Sequence, residues 1–202
     1  MSGHDTDPLD LAWREAYAVL ECLGDRLTHY GAEACRTFVA PGGPPAWDAC
    51  GAEGEREGQA WVQVAQVYPS DAFPTQQTGA MRCPPTGYAV QLNVAILRCA
   101  AVPDEQGRPP SSERLTADAH KVSRDRAIVR DALRCCYLED ADPGTYVLGA
   151  WTPLGPQGGC VGGQTALTVA LASCRCPDPP VPAGGFGLGP FGEGSFGGED
   201  DG

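Results

Sequence analysis

The chain has 202 residues, with 14 Lys+Arg against 26 Asp+Glu and a formal net charge of −12. That excess repels phosphate, and a single lysine, Lys121, among the arginines forms no basic cluster, which excludes a dedicated nucleic-acid or anionic-membrane binder. The 27 Gly and 19 Pro lean toward low complexity, but 42% hydrophobic residues suffice for one packed domain, so the bias belongs in a single segment. No run approaches about 18 consecutive apolar residues, and the polar, acidic start Met-Ser-Gly-His-Asp-Thr-Asp-Pro lacks an export pattern, so a soluble protein made in the cytoplasm is expected.

The first element is announced by Asp7-Pro8-Leu9-Asp10: a capping carboxylate, a proline suited to the first helical position and an acid in the first turn. A helix is predicted over 8–30, with Leu9, Trp13, Ala16, Leu20, Leu23 and Leu27 as one apolar stripe and Gly31 as its stop. A short strand follows over 35–39, then a turn at Pro41-Gly42-Gly43-Pro44-Pro45. Residues 60–68 are β-rich but alternate imperfectly, which predicts a strand with a bulge. Residues 69–85 read as a polar loop.

The clearest strand spans 88–98, with Tyr88, Val90, Leu92, Val94 and Ile96 on one face and Ala89, Gln91, Asn93 and Ala95 on the less buried other. Ser111 or Ser112 caps a second helix running to about Leu138, predicted to bury Leu115, Ala119, Val122, Val129, Leu133 and Cys136, and ended by Asp142-Pro143-Gly144. Strands over 146–152 and 165–171 follow, the second with Thr165, Leu167, Val169 and Leu171 on one face. The Gly/Pro-rich 153–163 between them reads as a long turn. The expected class is α+β, in the order α-β-β-β-α-β-β, with a mostly antiparallel sheet and two long helices.

At Pro177 the composition changes: 26 residues hold 9 Gly, 5 Pro and 5 Asp/Glu, with no Lys or Arg. The expected division is a single α+β domain over 1–176 and an acidic tail over 177–202. That tail repeats a five-residue unit with phenylalanine third, at Phe186, Phe191 and Phe196, which reads as apolar anchors on a flexible strand.

Catalytic patterns are missing from the sequence. It has no His-Glu-x-x-His, no Gly-x-Ser-x-Gly and no phosphate loop ending in Gly-Lys-Ser/Thr. His29 falls at a helix C-terminus, where capping is its simplest role; His120 reads as a partly exposed helix residue; and Glu53, Glu55 and Glu57 read as solvated surface. The Gly155–Gly163 run lacks the following helix that an anion cradle needs. Ten cysteines in a chain of this length are expected as buried thiols, with a Cys50–Cys83 bridge as an open alternative. A zinc site could draw on Cys135-Cys136, Cys174-Arg175-Cys176 and Cys160, Cys50 or Cys83, but no Cys-x-x-Cys knuckle supports it. No catalytic, cofactor-binding or metal-ligating residue is assigned, and no cofactor is expected.

Several strings resemble the tail terminator or neck proteins of long-tailed phages infecting actinobacteria. They are Cys35-Arg36-Thr37-Phe38-Val39, Ala46-Trp47-Asp48-Ala49-Cys50, Val90 to Cys99, and Trp151 to Gly163, with the order of elements; together they span about residues 8–173. The resemblance implies a structural, non-enzymatic virion protein. It would form a homo-oligomeric ring, typically of six copies, that caps the tail tube, ends its polymerisation and meets the head-to-tail connector. DNA would pass through an acidic lumen without specific binding, and no membrane would be involved. The implied location is the virion neck, after assembly in the host cytoplasm. A neighbouring adaptor or stopper is the alternative within that class, and a small zinc-binding or thiol enzyme the alternative outside it. Candidate ring or partner contacts are Trp151, Pro153, Leu154, Gln157 and Val161, as a finger toward the lumen or the next ring, and Phe186, Phe191 and Phe196.

Overall fold

The computed structural model describes residues 11–40, 42–47, 57–78 and 87–171. Its elements are α1 (Leu11–His29), β1 (Arg36–Ala40), β2 (Gln59–Pro69), β3 (Tyr88–Cys99), α2 (Ser112–Ala132) continuing into a π-helical turn (Leu133–Tyr137), β4 (Tyr146–Gln157) and β5 (Cys160–Leu171). The class is α+β. Five strands form one sheet in the order β1-β2-β3-β5-β4, in which only β1–β2 is parallel. The proposed start of α1 at residues 7–10, the Cys50–Cys83 pairing and the tail phenylalanines lie outside the described residues.

α1 buries Ala16, Val19, Leu23 and Leu27, and it ends where Gly31 takes φ +56°, a left-handed conformation that glycine adopts without strain. The predicted stripe holds at Ala16, Leu23 and Leu27; it is corrected at Trp13, which is 37% exposed, and at Leu20, which is half-buried against the core, while Val19, outside the stripe, is fully buried. α2 is capped by Ser111, whose hydroxyl accepts from the Arg114 backbone N–H at 3.4 Å. Its buried residues are Asp125, Ile128, Val129 and Ala132, followed by Leu133 in the π turn. Leu115 (52%) and Ala119 are exposed, and Val122 and Cys136 half-buried, against expectation. The first half of α2 buries none of its apolar side chains fully, and apolar spacing along a helix says nothing about where its packing ends.

One face of the sheet carries Ala60, Val62, Val90, Leu92, Val94, Ile96, Leu167 and Val169 against these helices in a single core. Burying a side chain of this size contributes about 1.5–3 kcal/mol, so this layer holds the fold. β2 has its bulge between Val64 and Gln66, as the broken alternation suggests. The opposite face is covered in part, which corrects the half-buried reading of β3 at its ends: Ala89 and Ala95 are fully buried, while Gln91 and Asn93 between them stay half-buried. Trp61, Ala95, Leu97 and Ala40 form a second cluster, joined by Phe38, Trp47 and Leu154. Segment 42–47 is tied over it by Gln59 and Gln63, whose side-chain amides donate to the Ala46 carbonyl at 2.9 Å and to the Gly42 carbonyl. At the far end of β2 the Tyr68 hydroxyl donates to the Pro74 carbonyl at 3.0 Å, holding a second loop down.

The long turn expected over 153–163 is strand for most of its length. β4 runs on to Gln157 and β5 starts at Cys160, so the turn is the pair Gly158-Gly159, with φ +58° and +73°. Both values suit the tight turn that matches strand twist, which glycine pairs favour. The prolines that argued for a loop sit on the edge strand, where a missing N–H costs no ladder bond, and register shifts at 148/151 and 154/157 absorb the irregularity. The hairpin lies flush along β3, with Ala100 N–H donating to the Gly159 carbonyl at 2.8 Å, and is no projecting finger.

The cysteine reading is also corrected. Cys22 of α1 and Cys136 of the π turn form a disulfide with Cα atoms 5.8 Å apart, and Cys35 is a half-cystine. Cys99, Cys135 and Cys160 are thiols. The α1–α2 contact brings Cys22 and Cys136 together across 114 residues of sequence, and no spacing rule reports that.

Candidate functional site

β4 is a twelve-residue edge strand without a charged side chain, and it holds four of the eight candidate contacts. Trp151 is half-buried and lies across Gly163 of β5, where an added Cβ would fall 2.3 Å from its ring. Gly163 thus makes the slot that fixes the indole. Leu154 is half-buried against the Trp61 cluster, and Val161 is half-buried on β5. Pro153 and Gln157 are exposed. The structure therefore brings the five together along one hairpin but divides their work: Trp151 and Leu154 hold the domain, while Pro153 and Gln157 face outward.

Beside Trp151, between α2 and the β4–β5 hairpin, is a cavity of about 260 Å³ floored by Leu133, Leu148 and Trp151, with Arg126 and Arg130 lining it from α2. At the other end of α2 a second cavity, of about 410 Å³, is lined by Glu57, Cys99, Val102, Arg114, Asp118 and Lys121. Here Lys121 pairs with Glu57 at 2.9 Å and with Asp118 at 4.0 Å. Burial works against the ammonium charge, but the two carboxylates outweigh it and raise the lysine above its ordinary value. Glu57 is thus no simple solvated residue. Asp118 also accepts from Ala101 N–H at 2.7 Å, tying the end of β3 to α2.

The strongest polar feature is one that sequence reading misses. Arg98 of β3 and Asp125 of α2 form a two-pronged ion pair at 2.9 and 2.8 Å, with side chains 6% and 3% exposed. Arg98 donates further to the carbonyls of Glu57 at 3.0 Å and Ala32 at 2.8 Å. One guanidinium thereby joins four segments of chain. A signal was available: Arg98 continues the alternation Val90, Leu92, Val94, Ile96, and a charge in line with a core stripe calls for a buried partner.

Among the described residues no group of three or more His, Cys, Asp or Glu gathers as metal ligands, and no helix is long and apolar enough to cross a membrane. His29 is exposed and meets the Tyr30 ring edge-on at 4.8 Å. No protein-family model matches this chain, and no curated protein matches it in sequence.

Proposed function

We propose that this chain is a structural protein of the neck of a long-tailed phage, a tail terminator that assembles as a ring on the tail tube and meets the head connector. The observation that carries the reading is the pair of unlike sheet edges: β1, five residues long and parallel to its neighbour, and β4, twelve residues long and uncharged. Natural edge strands are commonly guarded by charges, prolines or bulges; β4 has no charge but carries Pro153, Pro156 and two register shifts, so its side chains more than its backbone offer the contact. Contact between one copy's β4 side and a different surface of the next is heterologous, the type that closes rings. Leu115, exposed on the first half of α2, offers a further apolar contact. A net charge of −12 suits a channel through which DNA passes without adhering. The repeated Phe186, Phe191 and Phe196 fit the role of tethered anchors to a neighbouring copy or to the tube.

Absolute mass by light scattering, with negative-stain images of the same fraction, tests the proposal. A discrete ring, or binding to pre-formed tail tubes, is expected. A monomer that also ignores tail tubes overturns it, and binding to DNA-filled heads instead of tubes moves the assignment to the adjacent adaptor or stopper. Truncation after Pro177 tests the anchors: unchanged ring formation and tube binding discard that part.

A further inference from the structure

Cys99 closes β3 and Cys160 opens β5, and the two are direct partners in the antiparallel register. The next rung outward is a hydrogen bond, Ala100 N–H to the Gly159 carbonyl at 2.8 Å. Hydrogen-bonded and non-hydrogen-bonded pairs alternate along such a ladder, so Cys99–Cys160 is a non-hydrogen-bonded pair. At these positions Cα atoms stand about 4.5 Å apart with side chains on one face, inside the range of about 4.4–6.8 Å that a disulfide spans. Both residues carry thiols; that of Cys160 donates to the Gly158 carbonyl at 3.7 Å. Their accessibility differs. Cys160 is fully buried, whereas Cys99 is half-buried and lines the 410 Å³ cavity.

We propose that Cys99 and Cys160 are a redox-active dithiol that closes to a cross-strand disulfide when a small anionic disulfide, of the glutathione type, enters this cavity. Arg114 lines it and offers its guanidinium to a carboxylate of such a reagent, while Lys121 is already paired with Glu57 and Asp118. The Cys99 thiolate attacks one sulfur of the reagent, forming a mixed disulfide and releasing one small thiolate. Cys160, giving up its proton, then attacks the Cys99 sulfur and expels the second. The two protein thiols lose two electrons, the reagent gains them, and the two protons end on the two small thiols. Cys99 reacts first because the cavity reaches it, and Cys160 resolves because it is the direct partner of Cys99 in the ladder. The product staples the Gly158-Gly159 turn to the central strand.

The groups around Cys99 set the pH response. Burial holds the thiol above its ordinary value, Glu57 and Cys160 push the same way, and Lys121 opposes them; Asp118 and Arg114 also line the cavity. The closing rate therefore rises about tenfold per pH unit between about pH 7 and pH 8.5, where the thiolate is a minor species.

The test uses the full-length protein treated with oxidised glutathione, blocked with an alkylating agent and digested without reduction by trypsin and chymotrypsin. Cleavage after Arg98, Leu154 and Leu167 separates the two cysteines from the others for mass spectrometry. The expected product is one peptide pair joined through Cys99 and Cys160, about 2 Da lighter than the two thiols. Cys160→Ser is expected to stop at a glutathione adduct on Cys99. Wild-type protein that accumulates that same adduct with Cys160 alkylated, that leaves both thiols alkylated, or that joins either cysteine elsewhere overturns the proposal, and each outcome is read on wild type alone.

Discussion

Replacing Asp125 by alanine removes one side of a pair whose members are almost wholly buried, and leaves the Arg98 guanidinium with two carbonyl acceptors and no counter-charge. Breaking a buried pair in this way costs about 3–5 kcal/mol, a large share of the 5–15 kcal/mol that stabilises a typical domain. Arg98→Met with Asp125→Leu behaves differently. No charge remains buried, apolar replacement of a pair is neutral or favourable by about 1–4 kcal/mol, and the remaining loss is the Glu57 and Ala32 carbonyls, at about 1–3 kcal/mol each if they stay dry. The double variant should therefore lie about 2 kcal/mol below wild type, and above Asp125→Ala. Urea unfolding without reductant, followed by far-UV circular dichroism, measures both. A loss under about 1 kcal/mol for Asp125→Ala, or a double variant as unstable as the sum of its single changes, would refute the reasoning that this pair is a coupled, desolvated clamp.

Four further outcomes are expected. Gly58 has φ +77°, and an added Cβ would fall 1.9 Å from the Leu97 carbonyl oxygen, so Gly58→Ala should lower the melting temperature by at least about 8 °C; Gly24→Ala, in open space on α1, should gain about 0.5–1 kcal/mol. Cys22→Ser with Cys136→Ser opens a loop of 114 residues and should lose about 5 kcal/mol in the chain-entropy account, read as a urea midpoint that reductant no longer shifts by this bridge. The Tyr137 hydroxyl donates to Glu15, and burial first, then that bond and the nearby carboxylate, hold the phenol far above its ordinary 10.0. A pKa raised by folding gives stability that is complete below the unfolded value and is lost as pH climbs past it, so the urea midpoint should fall between about pH 9.5 and pH 11.5 in wild type and fall less in Tyr137→Phe.

How far the sequence carries can be followed residue by residue. β3 and β5 are legible because Val90, Leu92, Val94, Ile96 and Leu167, Val169 alternate cleanly, and Gly31 marks the end of α1 because a left-handed stop favours glycine. Leu115 and Ala119 mislead: their spacing is that of a buried stripe, but burial depends on whether another layer lies beneath, and periodicity carries no such information. Pro153, Pro156 and the glycines of 153–163 mislead in the opposite sense, since residues that break a central strand are tolerated on an edge one. The Cys22–Cys136 bridge and the Arg98–Asp125 clamp join residues far apart in sequence, and they become visible only when α1, α2 and β3 are assembled. Of the candidate contacts, alternation along β4 would not have separated Trp151 and Leu154 from their exposed neighbours: the two are three residues apart and join different clusters, while exposed Pro153 has the parity of Trp151.

The wide turn at Leu133–Tyr137 holds one residue more than a regular helix needs. Leu138 closes it by donating its N–H to the Leu133 carbonyl at 2.9 Å, five residues back, which carries Leu138 onto the buried side with Leu133. Deleting Arg134 or Cys135, both exposed, would place Leu138 four residues from Leu133 and keep it on that side in an ordinary helix. The same deletion would turn Cys136 away from Cys22. Length variation at this point is thus compatible with the core and incompatible with the crosslink, and the disulfide, more than the packing, fixes how many residues this stretch of helix must have.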